Sequence, residues 1–167
     1  FERGMNARHT RLGKDVRLRA YVAYPPGFDP STGQKLSAIA MFHGGGWAQG
    51  APTYWFPEAF YLSSRGMIAV TFQYRLVETH LSTRQEAVAD ARSAVRWMRK
   101  NAAALGIDPD RIAATGDSAG GHLAVATTLV TTIENETGAD REISSRTVAL
   151  APFYPVLMTA GGVAWEP

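Results

Sequence analysis

Apolar and polar positions alternate singly along residues 16–24, where Val16, Leu18, Ala20 and Val22 are set against Arg17, Arg19 and Tyr21. A period of two is that of a strand with one face buried. Residues 38–42, 67–74 and 112–115 instead form short, predominantly apolar runs. Such runs predict strands covered on both faces in a parallel sheet. A further strand is predicted over 147–153, ahead of Pro155. Between these runs the period lengthens. Ala87, Val88, Ala91, Ala94, Val95 and Met98 make an apolar stripe at helical spacing, predicting a helix over 83–104. Gly106 and Asp108-Pro109 end it. Shorter helices are predicted over 57–64, with Pro57 in the tolerated first turn and Gly66 after the end, and over 119–131. Residues 25–33 and 134–142 carry the composition of loops. Residues 1–13 are polar and basic and predict a loose arm before a core spanning 14–167.

Strand and helix alternating in this way predict the α/β class, a mostly parallel sheet with right-handed crossovers and helices on its faces. Ligands on such sheets bind beyond the carboxyl ends of the strands. The length, 167 residues, suits one buried core, and 46% hydrophobic with 19% charged residues is the balance of a soluble globular protein. The net charge of +2 comes without a Lys/Arg block, so nothing points to a nucleic-acid partner. No apolar run approaches the roughly 18 residues of a membrane span. There is no cysteine, so thiol and Cys-metal chemistry are excluded. Position 1 is Phe and no signal-like segment follows it, which predicts a removed leader or a chain that starts within a longer protein; the Gly161-to-Pro167 end, without a closing helix, predicts the same at the other terminus.

Two glycine-rich strings fall at predicted strand ends. Gly116-Asp117-Ser118-Ala119-Gly120 follows the 112–115 run and opens the 119–131 helix. Gly-x-Ser-x-Gly at a strand-to-helix corner is the nucleophile elbow of serine hydrolases, in which strained backbone exposes the hydroxyl and larger neighbours would collide across the turn. A Ser that only caps the helix is the plainer alternative. His43-Gly44-Gly45-Gly46-Trp47 follows the 38–42 run and offers bare N–H groups to a developing oxyanion, or else a turn or phosphate cradle. Trp47, Tyr54, Trp55, Phe56 and Phe60 come next, either as the wall of a substrate pocket or as core. Asp117, acidic at a helix N-terminus, is expected to pair with Arg75. His122, four residues past Ser118, is expected to point into packing or solvent, and His9 and His80 to lie at the surface. Asn135-Glu136-Thr137 matches the glycosylation pattern by chance more readily than by design.

In their order and spacing, His43-Gly44-Gly45-Gly46-Trp47, Tyr74-Arg75-Leu76 and the string from Gly116 to Ala124 resemble the α/β-hydrolase superfamily over residues 36–156. Within it they are similar to the hormone-sensitive-lipase-like esterases and the feruloyl/acetylxylan-esterase branch. The resemblance implies a serine carboxylic-ester hydrolase acting on small or short-acyl esters through an acyl-enzyme, without a cofactor. Ser118 would attack; Ala119 and the 44–46 loop, Gly45 foremost, would hold the oxyanion; His43 would shape that loop and not take the proton. The same family order places an acid and then a histidine after the serine. After His122 the chain has no histidine, and the one aspartate after Ser118 is Asp140. The expectation is therefore a chain with nucleophile and oxyanion hole but no base, inactive or nearly so alone. A non-catalytic receptor or interaction module on the same fold is the second reading. A nucleotide-binding domain is a third, disfavoured because no Gly-x-Gly-x-x-Gly or Lys-Ser/Thr signature occurs.

Overall fold

A computed structural model describes residues 2–8, 15–130 and 140–157, with 2–8 and 15–16 as backbone. In chain order its elements are strands β1 (Glu2–Arg8), β2 (Asp15–Ala23) and β3 (Leu36–Phe42), helix α1 (Phe56–Ser64), strand β4 (Ile68–Phe72), helices α2 (Val77–His80), α3 (Arg84–Lys100) and α4 (Ala102–Leu105), strand β5 (Ile107–Asp117), helix α5 (Ala119–Leu129) and strand β6 (Ala149–Phe153). The six strands form one sheet in the order β1-β2-β4-β3-β5-β6. The four from β4 to β6 in that order run parallel, and β1 and β2 add an antiparallel pair at one side.

Strands β3 and β4 are mostly apolar because both their faces are covered, and successive residues serve opposite faces. Ala38, Ala40 and Phe42 of β3 join Ile68, Val70 and Phe72 of β4 in the cluster under α3 and α5. Ile39, Met41 and Ala69 point the other way, to Trp55 and Ala59. The helical stripe of α3 enters the first cluster through Ala87, Val88, Ala91, Ala94, Val95 and Met98. Burying each larger side chain, such as Phe42 or Phe72, contributes about 1.5–3 kcal/mol. Thr83 starts α3 with a capping box. Its hydroxyl accepts from Glu86 N–H at 3.2 Å, and the Glu86 carboxylate accepts from Thr83 N–H at 2.8 Å.

Three expectations change. The segment expected to be a loose arm contains β1, which pairs along its whole length with β2, from Glu2 opposite Tyr21 to Arg8 opposite Asp15. The helix expected over 83–104 is interrupted at Asn101, so that α4 is a separate turn closed by Gly106 in a left-handed cap. Strand β5 begins at Ile107 and not at Ile112, because its register against β3 shifts between Leu36 and Ala38 and takes up the polar residues between. The Asn135-Glu136-Thr137 pattern, His9 and the end after residue 157 lie outside the described residues.

Candidate active site

Strand β5 delivers the chain to Asp117 and α5 starts at Ala119, leaving Ser118 to make the whole turn at φ 50°, ψ −116°. A non-glycine residue held there costs on the order of 1–3 kcal/mol and persists only when its surroundings fix it. They do so through the backbone. Ser118 N–H donates to Phe153 C=O at 3.0 Å, and Ser118 C=O accepts from His122 N–H at 3.1 Å and Val156 N–H at 3.3 Å. The flanking glycines are required by close approach. A Cβ on Gly116 would strike the Gly120 carbonyl, and one on Gly120 would strike the carbonyls of Phe42 and His43. The Ser118 hydroxyl makes no helix-capping hydrogen bond, so the plain capping alternative has no support in the geometry.

The second glycine string leaves the end of β3 directly beside this elbow. Gly44 N–H donates to Asp117 Oδ1 at 2.8 Å, which ties the two strings together. That bond engages the Gly44 N–H and leaves Gly45 and Gly46, at φ 113° and 63°, whose N–H groups donate to no described residue. Ala119 N–H opens α5, where the helix itself offers no acceptor. His43 is buried, its ring stacked on Tyr74 at 4.4 Å between centroids. Its Nδ1 lies 2.7 Å from Gly44 C=O and must therefore carry the proton, since a carbonyl only accepts. Tyr74 O–H donates to His43 C=O at 2.8 Å. Burial pushes the His43 imidazole below its ordinary pKa, with the Gly44 carbonyl and the Asp117 charge pulling the other way. His43 is thus a neutral strut in the loop.

The aromatic cluster divides. Trp55 is buried, packs beside Phe153 and donates its indole N–H to Asp117 Oδ1 at 2.9 Å. Trp47 is buried too, with its ring edge-to-face against His122 at 5.3 Å and the Arg84 guanidinium 5.0 Å from its centroid. Both tryptophans are packing residues in this structure. Tyr54 and Phe60 are 66% and 63% exposed, which leaves them as the surface members of the group, with Phe56 half-buried between.

The expected Asp117–Arg75 pair is replaced by two separate arrangements. Asp117 is engaged by the neutral donors Gly44 N–H and Trp55 Nε1. Arg75 is buried and turns to α3, where its guanidinium meets Asp90 at 2.8 Å and Glu86 at 3.2 Å, and its own N–H donates to Asp90 Oδ2 at 2.9 Å. Asp90 and Glu86 were not singled out from the sequence. The signal was there for Asp90, an acid embedded in the apolar stripe beside Ala87 and Ala91. His122 lies in packing, partly buried, and burial and the Arg84 charge both lower its pKa. His80, expected at the surface, is half-buried and accepts Leu76 N–H on Nδ1 at 3.0 Å. Among the described residues no three His, Asp or Glu gather to hold a metal ion, and no helix is long and apolar enough to cross a membrane.

Residues 28–156 match the BD-FAE family. The chain is 36% identical over 110 residues to carboxylesterase NlhH of Mycobacterium tuberculosis, covering 65% of this chain and 32% of that protein. It is 33% identical over 149 residues to ethyl acetate hydrolase of Pseudomonas putida, covering 88% and 42% respectively. The butyrate-bound esterase Est2 of Thermogutta terrifontis superposes with a TM-score of 0.83 at 39% identity, over 94% of this chain and 55% of that one. The chain therefore spans from about a third to about half the length of these relatives.

Proposed function

The chain belongs to the BD-FAE family and has the α/β-hydrolase fold, and from that premise we propose that the protein hydrolyses carboxylic esters through Ser118. One observation carries the reading. A strained serine whose hydroxyl caps nothing stands at the carboxyl end of a parallel strand, tied by Gly44 and Asp117 to a loop with unengaged N–H groups.

In this mechanism Ser118 Oγ attacks the acyl carbon and the carbonyl oxygen becomes an oxyanion. Gly45, Gly46 and Ala119 N–H stabilise it; one such donor contributes about 3–4 kcal/mol to the transition state. The acyl–oxygen bond then breaks, the alcohol leaves with the serine proton, and water hydrolyses the acyl-serine to the acid. Gly44 drops out of the donor set because its N–H already serves Asp117. Its part is to align the loop.

A serine needs a base to take its proton. His43 is locked on Gly44 C=O, His80 caps α2, and His122 packs on Trp47. None is assigned as the base, and these 167 residues alone are expected to turn over slowly, at the residual rate that oxyanion stabilisation gives. Short-acyl esters are the favoured substrates. Supporting this choice, structures of the related Est2 are described with butyrate and with propionate bound, and another relative is named an ethyl acetate hydrolase. The test is p-nitrophenyl butyrate hydrolysis by the complete protein and by its Ser118→Ala variant. Loss of the alanine variant's activity is expected, and hydrolysis unchanged by it would overturn the assignment.

A further inference from the structure

Asp117 holds the oxyanion loop at its start, through Gly44. Its far end is held by a different part of the chain. Trp47 C=O accepts Val77 N–H at 2.9 Å, and Ala48 C=O accepts Glu78 N–H at 3.2 Å. Both donors open α2, whose first N–H groups have no intrahelical acceptor and so are free for the loop. Trp47 needs such a restraint, because it sits at φ 61°, a left-handed conformation that a bulky side chain does not adopt unaided.

The donors are themselves fixed from behind. Arg75, two residues before Val77, is clamped to Asp90 by its backbone N–H and by its side chain, with Glu86 as a second anchor. Asp90 and Glu86 project from α3, whose stripe is built into the core. A rigid helix thereby reaches the oxyanion loop through one short segment.

We propose that residues 75–78 are a brace for the oxyanion hole, in which the buried Arg75–Asp90 pair sets the α2 N–H groups of Val77 and Glu78, and these fix the loop that presents Gly45 and Gly46. The inference rests on the ester-hydrolase reading above and deepens it. Arg75 and Val77 are positioning residues in it: neither touches the ester, and each acts on the donors that do. A buried charge pair suits the task, since its multiple directional bonds define one geometry where an apolar contact would allow sliding.

Removing Arg75 or Asp90 would strand a buried charge and endanger folding. Val77 gives a cleaner handle. It is the first residue of α2, a position where proline is tolerated, and Leu76 before it is extended at φ −112°, ψ 146°, as a residue preceding proline must be. Val77 is also 41% exposed, so its side chain has little packing to lose. Val77→Pro therefore deletes the N–H to Trp47 and leaves the helix in place. Val77→Ala shortens the side chain and keeps the N–H.

The experiment measures p-nitrophenyl butyrate kinetics for the complete protein and its Val77→Pro, Val77→Ala and Ser118→Ala variants, with amide hydrogen exchange, by NMR, of Ala48 and Gln49, whose N–H groups donate to Gly45 C=O at 3.0 and 3.1 Å. Val77→Pro is expected to lower kcat about ten- to a hundredfold with KM nearly unchanged, as small misplacements of catalytic groups do. Its Ala48 and Gln49 amides should exchange faster while the thermal midpoint stays near that of the parent. Val77→Ala should follow the parent in both readouts. The brace is overturned if Val77→Pro matches the parent in kcat and exchange, or if Val77→Ala loses as much as Val77→Pro. If Ser118→Ala keeps full activity the ester-hydrolase reading fails instead, and exchange at Ala48 and Gln49 still decides whether the brace exists.

Discussion

Replacing Asp117 by alanine removes the acceptor that joins the glycine-rich 44–46 loop, the elbow and the loop before α1. Its Oδ1 takes two donors, Gly44 N–H at 2.8 Å and Trp55 Nε1 at 2.9 Å, both from buried residues. Each donor left without a partner costs about 1–3 kcal/mol, so the alanine variant should lose roughly 2–6 kcal/mol. A domain of this size has about 5–15 kcal/mol in all. Asparagine keeps an oxygen in place and loses only the charge assistance, about 1 kcal/mol per bond, so Asp117→Asn should be destabilised by about half as much or less. Urea unfolding followed by far-UV circular dichroism reads the difference directly. With a slope of about 2 kcal/mol/M, the midpoint of Asp117→Ala should fall by about 1–3 M and that of Asp117→Asn by about 1 M or less. An alanine midpoint equal to the parent's would refute the idea that these two bonds hold the loops together. Equal losses in both variants would refute the role given to the oxygen and assign it to the charge.

Two further outcomes follow from the same contacts. Gly120→Ala drives a Cβ into the carbonyls of Phe42 and His43, whereas a Cβ on Gly46 meets nothing within 4 Å and costs only the backbone strain of φ 63°. Thermal melts should therefore show a severe loss for Gly120→Ala and a loss of about 1 kcal/mol for Gly46→Ala; the reverse order would contradict the packing at the elbow. His43 is buried with its pKa lowered, so the unfolded chain takes up a proton near pH 6.5 that the folded chain refuses. The stability this gives is present above pH 6.5 and is lost on acidification, by about 1.4 kcal/mol per pH unit until the folded imidazole also titrates. His122, lowered by burial and by Arg84, acts in the same sense. Urea midpoints between pH 7 and 5.5 should fall in the parent and fall less in His43→Gln, and identical slopes in the two proteins would exclude His43 as a source.

The central strands and the long helix were legible because burial on two faces, or along one stripe, leaves a period that any reader of the chain can count. Strand β1 left no such mark. Its residues are mostly polar, and what fixes it is backbone pairing to β2, for which composition is nearly silent. The polar start of β5 was hidden for a related reason, since the register shift beside Leu36 lets Asp108 to Arg111 enter a strand without an apolar pattern. At the site, the serine motif was plain and the partner of Asp117 was not. Opposite charge suggested Arg75, but chain geometry brings the neutral N–H groups of Gly44 and Trp55 to that carboxylate and takes Arg75 to Asp90. The anchors of Ser118 in residues 153–156 are backbone groups, which any side chain could accompany, so nothing in the letters announces them.

That dependence on residues 153–156 bears on the order in which the molecule matures. Ser118 and Phe153 are distant in sequence, and joining them closes a long loop whose entropy must be overcome before the bond rewards it. With β5 and α5 in place but β6 undocked, Ser118 would keep the bond from His122 N–H and lose those with Phe153 and Val156. Two of the three backbone bonds that hold the turn at Ser118 are thus supplied by the last described strand and the residues just after it. On the ester-hydrolase proposal, the posture of the attacking serine is therefore secured only when that strand docks.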